Sequence, residues 1–151
     1  MIDETVAEIE EMQTHSSSVV AIKAATALRE LTDREFPTVE EYARTLERNS
    51  HALRRANRSH ASLHTTQREI VETVTDADPE DVSTAKGLTV EAIERVVGDV
   101  EAATDRAAKR GAEALAEEDV LFTHDFSSTV LAAIDRAVDD GATFEVYVSE
   151  S

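Results

Sequence analysis

Apolar residues recur along most of this chain at the three- and four-residue spacing of a helix face. Ile2, Val6, Ile9 and Met12 share one face of a first predicted helix, and Val20, Ala24, Ala27, Leu28 and Leu31 one face of a second. The run Ser16-Ser17-Ser18 ahead of the second set offers hydroxyls that can cap its start. Phe36-Pro37 breaks the pattern, and Thr38 reopens it with Glu41 three residues later, the spacing of a reciprocal cap. The third stripe is Val39, Tyr42, Leu46, Asn49, Leu53 and Ala56, and the fourth is Leu63, Gln67, Ile70 and Val74. Asp78-Pro79 predicts a new start, a cap followed by proline in the first turn, and Gly87 with Thr89 a further stop and start. Residues 89–116 carry the longest run, with Ile93, Val97, Val100, Ala103, Ala107 and Ala114, small side chains that allow close helix approach. Breaks near 57–62, 76–79 and 117–119 divide the whole into roughly five helices.

The pattern changes near residue 120. Val120–Thr123 is a short apolar run of strand formers, and Phe126–Asp139 returns to helix periodicity through Phe126, Val130, Leu131, Ile134 and Val138. Gly141 is a stop, and Phe144–Val148 is again strand-like. A strand, helix and strand joined this tightly predict a right-handed crossover between parallel strands. Parallel strands are buried on both faces, so two of them do not make a stable sheet. The expected fold class is therefore α followed by α/β: a helical domain over residues 1–116, then the first β-α-β unit of a second domain over 117–151. Such a chain reads as the front part of a larger fold, or as a protein completed by a partner.

Composition narrows the setting. Asp and Glu total 32 against 15 Lys and Arg, for a net charge of −17, and Lys appears only at positions 23, 86 and 109. An acidic, lysine-poor chain that keeps its apolar pattern is expected of a protein adapted to high salt, where carboxylates hold water and salt screens their repulsion. The acidity argues against direct nucleic-acid binding. The absence of Cys excludes disulfides, thiolate catalysis and Cys-bound zinc in this chain. No apolar run reaches membrane-spanning length, and residues 1–14 do not resemble a signal peptide, so no membrane association and a cytoplasmic location are the expectation.

Two places hold candidate chemistry. Thr123-His124-Asp125, with Ser127 and Ser128, sits where the first strand ends and the next helix begins. Open α/β sheets bind ligands outside the carboxyl ends of their strands, and a helix start offers free N–H groups to a phosphate. The plainer reading is that Ser127 only caps the helix and His124 only packs. The second place is a basic island. Arg44, Arg48, Arg54, Arg55, Arg58 and Arg68 lie within 25 residues, opposed in the stretch 44–68 by Glu47, and His51, His60 and His64 lie among them. Guanidinium groups suit phosphate or carboxylate. The alternative is internal pairing with acidic helix faces, favoured for Arg44 and Arg48, which sit in mid-helix. His60 and His64 are spaced to share a helix face, but no third metal ligand accompanies them, and neither a metal nor a cofactor is expected. Asn49 interrupts an apolar stripe, either to set helix register or because it lies at a wet edge.

The segment LFTHDFSSTVLAAIDRA…FEVYVSES resembles one shared by the alpha, beta and delta subunits of translation initiation factor 2B and their sugar-phosphate isomerase relatives, ribose-1,5-bisphosphate isomerase and methylthioribose-1-phosphate isomerase. Thr123-His124 and Ser149-Glu150-Ser151 match its strand endings, HSSSVVAIKAATALREL resembles its second helix, and RANRSHASLHTTQREIV its Arg-rich connection. The resemblance implies a helical domain followed by a Rossmann-like domain, and a homo- or hetero-oligomer in the full-length form. It implies a nucleotide or sugar-phosphate ligand, with His124, Ser127, Ser128, Ser16, Ser17, Arg58 and Glu150 as the candidate contacts. The departures bear on mechanism. Where the isomerases carry a catalytic Cys after Thr-His, this chain has Asp125, and where they carry Arg-Gly-Ala before the second helix it has His15-Ser16-Ser17. A carboxylate does not replace a thiol's nucleophile, and the lost Arg and Gly weaken a phosphate cradle. The expectation is an archaeal, salt-adapted, initiation-factor-like protein that binds without turnover; the alternative is a divergent ribose-1,5-bisphosphate isomerase using Asp125.

Overall fold

The computed structural model describes residues 2–11, 16–115 and 120–150. The order is α1 (Ile2–Glu11), α2 (Ser17–Ala27), a 3-10 turn (Leu28–Asp33), α3 (Val39–Ala56), α4 (Ala61–Asp76), α5 (Val82–Ala114), β1 (Val120–His124), α6 (Ser128–Asp139) and β2 (Glu145–Ser149). These elements gather into two compact units, Met1–Gln13 with Ser17–Val100 and Thr14–Ser16 with Glu101–Ser151. Met12, His15, Ser151 and the expected break at 117–119 lie outside the described residues.

The first unit is helical. α2 packs on α4, α4 on α3, and α1 on both α2 and α3. Ile9, Val20, Leu28, Leu31, Tyr42, Leu46, Leu53, Leu63 and Ile70 are fully buried at its centre. The four N-terminal stripes thus face one core, as a 3.6-residue period requires. Thr38 caps α3, its Oγ1 accepting from the Glu41 N–H at 3.2 Å. The Tyr42 and Phe36 rings stand perpendicular with centroids 5.1 Å apart, and Tyr42 donates its hydroxyl to Thr89 Oγ1 at 2.7 Å. That bond satisfies a polar tip that burial would otherwise strand.

Three expectations fail in the fifth helix. Asp78 does not cap it; with φ of 45° it follows the end of α4 in a left-handed conformation. Asp81 is the cap, accepting from the Thr84 N–H at 2.8 Å and from Thr84 Oγ1 at 3.1 Å, and these bonds hold its carboxyl below the usual carboxylate range. Nor does the chain stop at Gly87 and restart at Thr89, because α5 runs unbroken from Val82 to Ala114. A helix tolerates an isolated Gly for about 1 kcal/mol, and packing readily offsets that. Finally, Ala103, Ala107 and Ala114 are exposed, while Ala85, Thr89, Ala92, Val96, Ala108 and Ala112 are buried. In an alanine-rich helix several faces are equally small, so periodicity alone does not choose among them.

The second unit carries the sheet. β1 and β2 pair in parallel, with Val120 opposite Glu145 and His124 opposite Ser149. α6 starts at Ser128 rather than Phe126, and Phe126 is 61% exposed. Its buried residues are Ala133 and Ala137, whereas Leu131 and Val138 are exposed. Two strands do not cover the wide apolar face of this helix. Close packing instead uses its small face: a Cβ added at Gly111 would stand 2.9 Å from Ala133 Cβ. The architecture is thus mostly helical with a two-stranded parallel sheet, a partial α/β unit. Among the described residues, no helix is long and apolar enough to cross a membrane.

Candidate functional site

The carboxyl tips of the two strands bring several expected residues together. The pairing of His124 with Ser149 puts their side chains side by side, with His124 Nδ1 2.8 Å from Ser149 Oγ. The next residue, Asp125, turns into the left-handed region at φ of 54°, and its N–H donates to the Ser149 carbonyl at 2.9 Å. Asp is one of the few side chains that adopt this conformation at modest cost. The turn places Asp125 Oδ2 3.5 Å from His124 Nε2. Ser149, His124 and Asp125 therefore form a continuous polar line, with His124 and Asp125 about half exposed. Ser149 entered the sequence reading only as part of a matching strand end; its role beside His124 depends on strand register.

The start of α6 lies two residues further on. Ser127 is its cap, its Oγ accepting from the Val130 N–H at 3.3 Å. Ser128 Oγ donates to Ser16 Oγ at 2.8 Å, so two expected contacts 112 residues apart in sequence meet in this unit. Ser17 belongs to the first unit as the first residue of α2, and Glu150 lies just beyond β2, exposed.

The basic island is part of the first unit. Arg44, Arg48, His51, Arg55 and Arg58 are exposed, and Arg68 pairs with Glu72 at 3.8 Å. Internal pairing of Arg44 and Arg48 with acids of α1 and α5 does not occur among the described residues; Lys23–Glu8, Arg29–Glu94 and Arg95–Glu69 are the pairs that form there. Around the α3–α4 connection, Asn57 is buried and accepts from Ser59 Oγ at 2.9 Å through Oδ1. Arg54 Nε, Asn57 Nδ2, His60 Nδ1 and His64 Nε2 are buried there without a hydrogen-bond partner among the described residues. Arg54 Nε and Asn57 Nδ2 are donors, and buried donors left unpaired cost about 1–3 kcal/mol each, whereas the two His nitrogens donate or accept according to tautomer; the two donors suit this connection to an acceptor group. Asn49, half-buried, donates to the Thr45 carbonyl of its own helix at 2.7 Å.

Comparison with solved structures finds the same architecture repeatedly. Translation initiation factor 2B from Pyrococcus horikoshii superposes with a TM-score of 0.82 at 24% identity, over 97% of this chain and 49% of that one. The tetrameric beta–delta complex of the same factor from C. thermophilum gives 0.79 at 18% identity, over 99% and 49%. The 5-methylthioribose 1-phosphate isomerase from Pyrococcus horikoshii gives 0.79 at 15% identity, over 98% and 52%. At these identities the likeness is one of fold, and the chain spans about half the length of each relative. No curated protein matches the sequence. Residues 13–151 match the initiation factor 2 subunit family, and the chain belongs to that family.

Proposed function

We propose that this protein acts as an initiation factor 2B regulatory-subunit-like component that binds a nucleotide, a sugar phosphate or a protein partner without turning a substrate over. The observation that carries this reading is Asp125. It stands at the strand tip where the resembling isomerases use a thiol, and it is held there by a left-handed turn and a backbone bond to Ser149. In this reading residues 1–116 form a helical domain and residues 117–151 open a Rossmann-like one. In the second unit His124, Ser127, Ser128, Ser16 and Glu150 are the candidate ligand contacts, and in the first unit Ser17 and Arg58. The unpaired donors Arg54 Nε and Asn57 Nδ2 support an anionic group at the α3–α4 connection. Assembly of the full-length form into an oligomer is supported by the tetrameric beta–delta complex that shares the fold. The lysine-poor acidity supports a salt-adapted protein, and the reading takes it to be archaeal and cytoplasmic.

The second reading is a divergent ribose-1,5-bisphosphate isomerase in nucleotide salvage, with Asp125 as the acid–base group. It is favoured by the contact of Asp125 with His124, which gives a carboxylate a neighbour able to carry a proton. Titration with AMP and sugar phosphates, with product followed in parallel, separates the two. Saturable binding with no product is expected. Efficient aldose–ketose conversion, abolished in Asp125→Asn, overturns the binding-only reading.

A further inference from the structure

We infer that the hairpin of α3 and α4 encloses a monoatomic anion, a halide, held by Arg54 and Asn57. This rests on the reading of the α3–α4 connection as an anion site and names the ion it takes. Ser50, Arg54 and Asn57 are spaced to fall on one line along α3 and its cap, and His60, His64 and Gln67 on one line along α4. The two helices pack on each other, and Ser50 Oγ donates to the Gln67 carbonyl at 3.3 Å. That bond sets the register, so toward the connection Arg54 and Asn57 come alongside His64 and His60. Along this seam Arg54 Nε, Asn57 Nδ2, His60 Nδ1, His64 Nε2 and both amide atoms of Gln67 are buried with no hydrogen-bond partner among the described residues. Asn57 is 1% exposed, and its Oδ1 already accepts from Ser59 Oγ, which leaves Nδ2 as its unmet group.

The chemistry of these atoms gives the class of ligand. Arg54 Nε and Asn57 Nδ2 are donors only, and each His nitrogen carries a proton in one neutral tautomer. α4 opens here without a side-chain bond from its cap residue His60, so its first N–H groups add a partial positive charge. A ligand that accepts and does not donate fits this set, whereas a water brings two hydrogens that need acceptors. Gln67, a turn further in, has both a donor and an acceptor unmet and suits a water. Burial then limits size and charge. The unmet atoms are closed off from solvent, where a single-atom ion can be enclosed and a sugar phosphate cannot. The Arg54 guanidinium supplies one fixed positive charge, which pairs a monoanion but leaves part of a buried phosphate dianion uncompensated. Arg58 is exposed and is not part of this seam.

The test compares melting midpoints of the wild-type chain and of Asn57→Leu as chloride, bromide or inorganic phosphate replaces gluconate, at a constant total salt of about 1 M, where the screening length is about 3 Å. Asn57→Leu exchanges the unmet donor for an apolar side chain of similar size, and the wild-type midpoint minus the variant's cancels the general effect of each salt on folding. Each tenfold rise in chloride or bromide above the dissociation constant is expected to raise that difference by about 3–5 °C, while phosphate leaves it unchanged. Crystals of the wild type grown in bromide supply a second measurement that does not need the variant: anomalous scattering should place the ion against Arg54 Nε and Asn57 Nδ2. If the difference follows phosphate as strongly as halide, the halide assignment is wrong while the anion reading of the connection stands. If no salt moves the difference, or, where Asn57→Leu does not fold, bromide lies only outside the seam, the anion reading falls and the inference with it.

Discussion

Three glycines lie along α5, and their surroundings differ enough to predict opposite outcomes for one substitution. A Cβ added at Gly87 or Gly98 meets nothing within 4 Å, whereas at Gly111 it stands 2.9 Å from Ala133 Cβ. Gly→Ala in an unobstructed helix interior stabilises by about 0.5–1 kcal/mol, because Ala loses less backbone freedom on folding. Gly87→Ala and Gly98→Ala are therefore each expected to gain that amount. Gly111→Ala has the same gain but forces two methyl groups together, and overpacking of this kind costs about 1–3 kcal/mol. The net is a loss of up to about 2.5 kcal/mol, which for a chain of this size moves Tm down by roughly 2–4 °C per kcal/mol. Thermal melts and urea unfolding followed by circular dichroism would measure the series. Removing the opposing methyl supplies the control: Ala133→Gly in the Gly111→Ala background should recover part of the loss, with a coupling of about 1–2 kcal/mol. If Gly111→Ala stabilises as much as Gly98→Ala, the α5–α6 contact is not as close as described and the packing of the second unit is misread.

The Tyr42→Phe change removes a buried bond while leaving Thr89 its own bond to the Ala85 carbonyl, and should cost about 1 kcal/mol in unfolding experiments. Burial raises the Tyr42 hydroxyl above its ordinary value of 10.0, with the Thr89 bond opposing in part. The stability it supplies is complete below pH 10 and is lost as pH rises through the higher folded value, so Tyr42→Phe should flatten the alkaline arm of a stability–pH curve. Loss of the α6 cap in Ser127→Ala should destabilise the second unit by about 1 kcal/mol, read by hydrogen exchange of α6 amides. The lowered Asp81 carboxyl works in the other direction: its contribution is present above the ordinary carboxylate range and fades as pH falls through the lower folded value, so Asp81→Ala should lose stability at pH 7 and little at pH 2. Arg58→Ala should weaken binding of AMP or sugar phosphate at least tenfold in calorimetry without altering the melting curve, since Arg58 is exposed.

The sequence by itself determined the helical half and the β-α-β sign-off, because hydrophobic period is a local property. The stripes through Ile9, Val20, Leu46 and Ile70 lead to one core, and the tight strand–helix–strand spacing left a parallel pair as the expectation that the structure bears out. Thr38 and Ser127 were legible as caps for the same reason. Where local signals tie, tertiary structure decided. The alanine-rich α5 has several faces of equal size, and contact rather than periodicity selects Ala108 and Ala112 over Ala103 and Ala107. Asp78 and Asp81 are both capping residues by type, and only the course of the backbone assigns one to a left-handed turn and the other to the cap. The strand-tip line of Ser149, His124 and Asp125 joins residues up to 25 apart through parallel register and a positive φ, and Ser16 reaches Ser128 across 112 residues. No local pattern encodes such meetings, since they exist only once the chain has closed on itself.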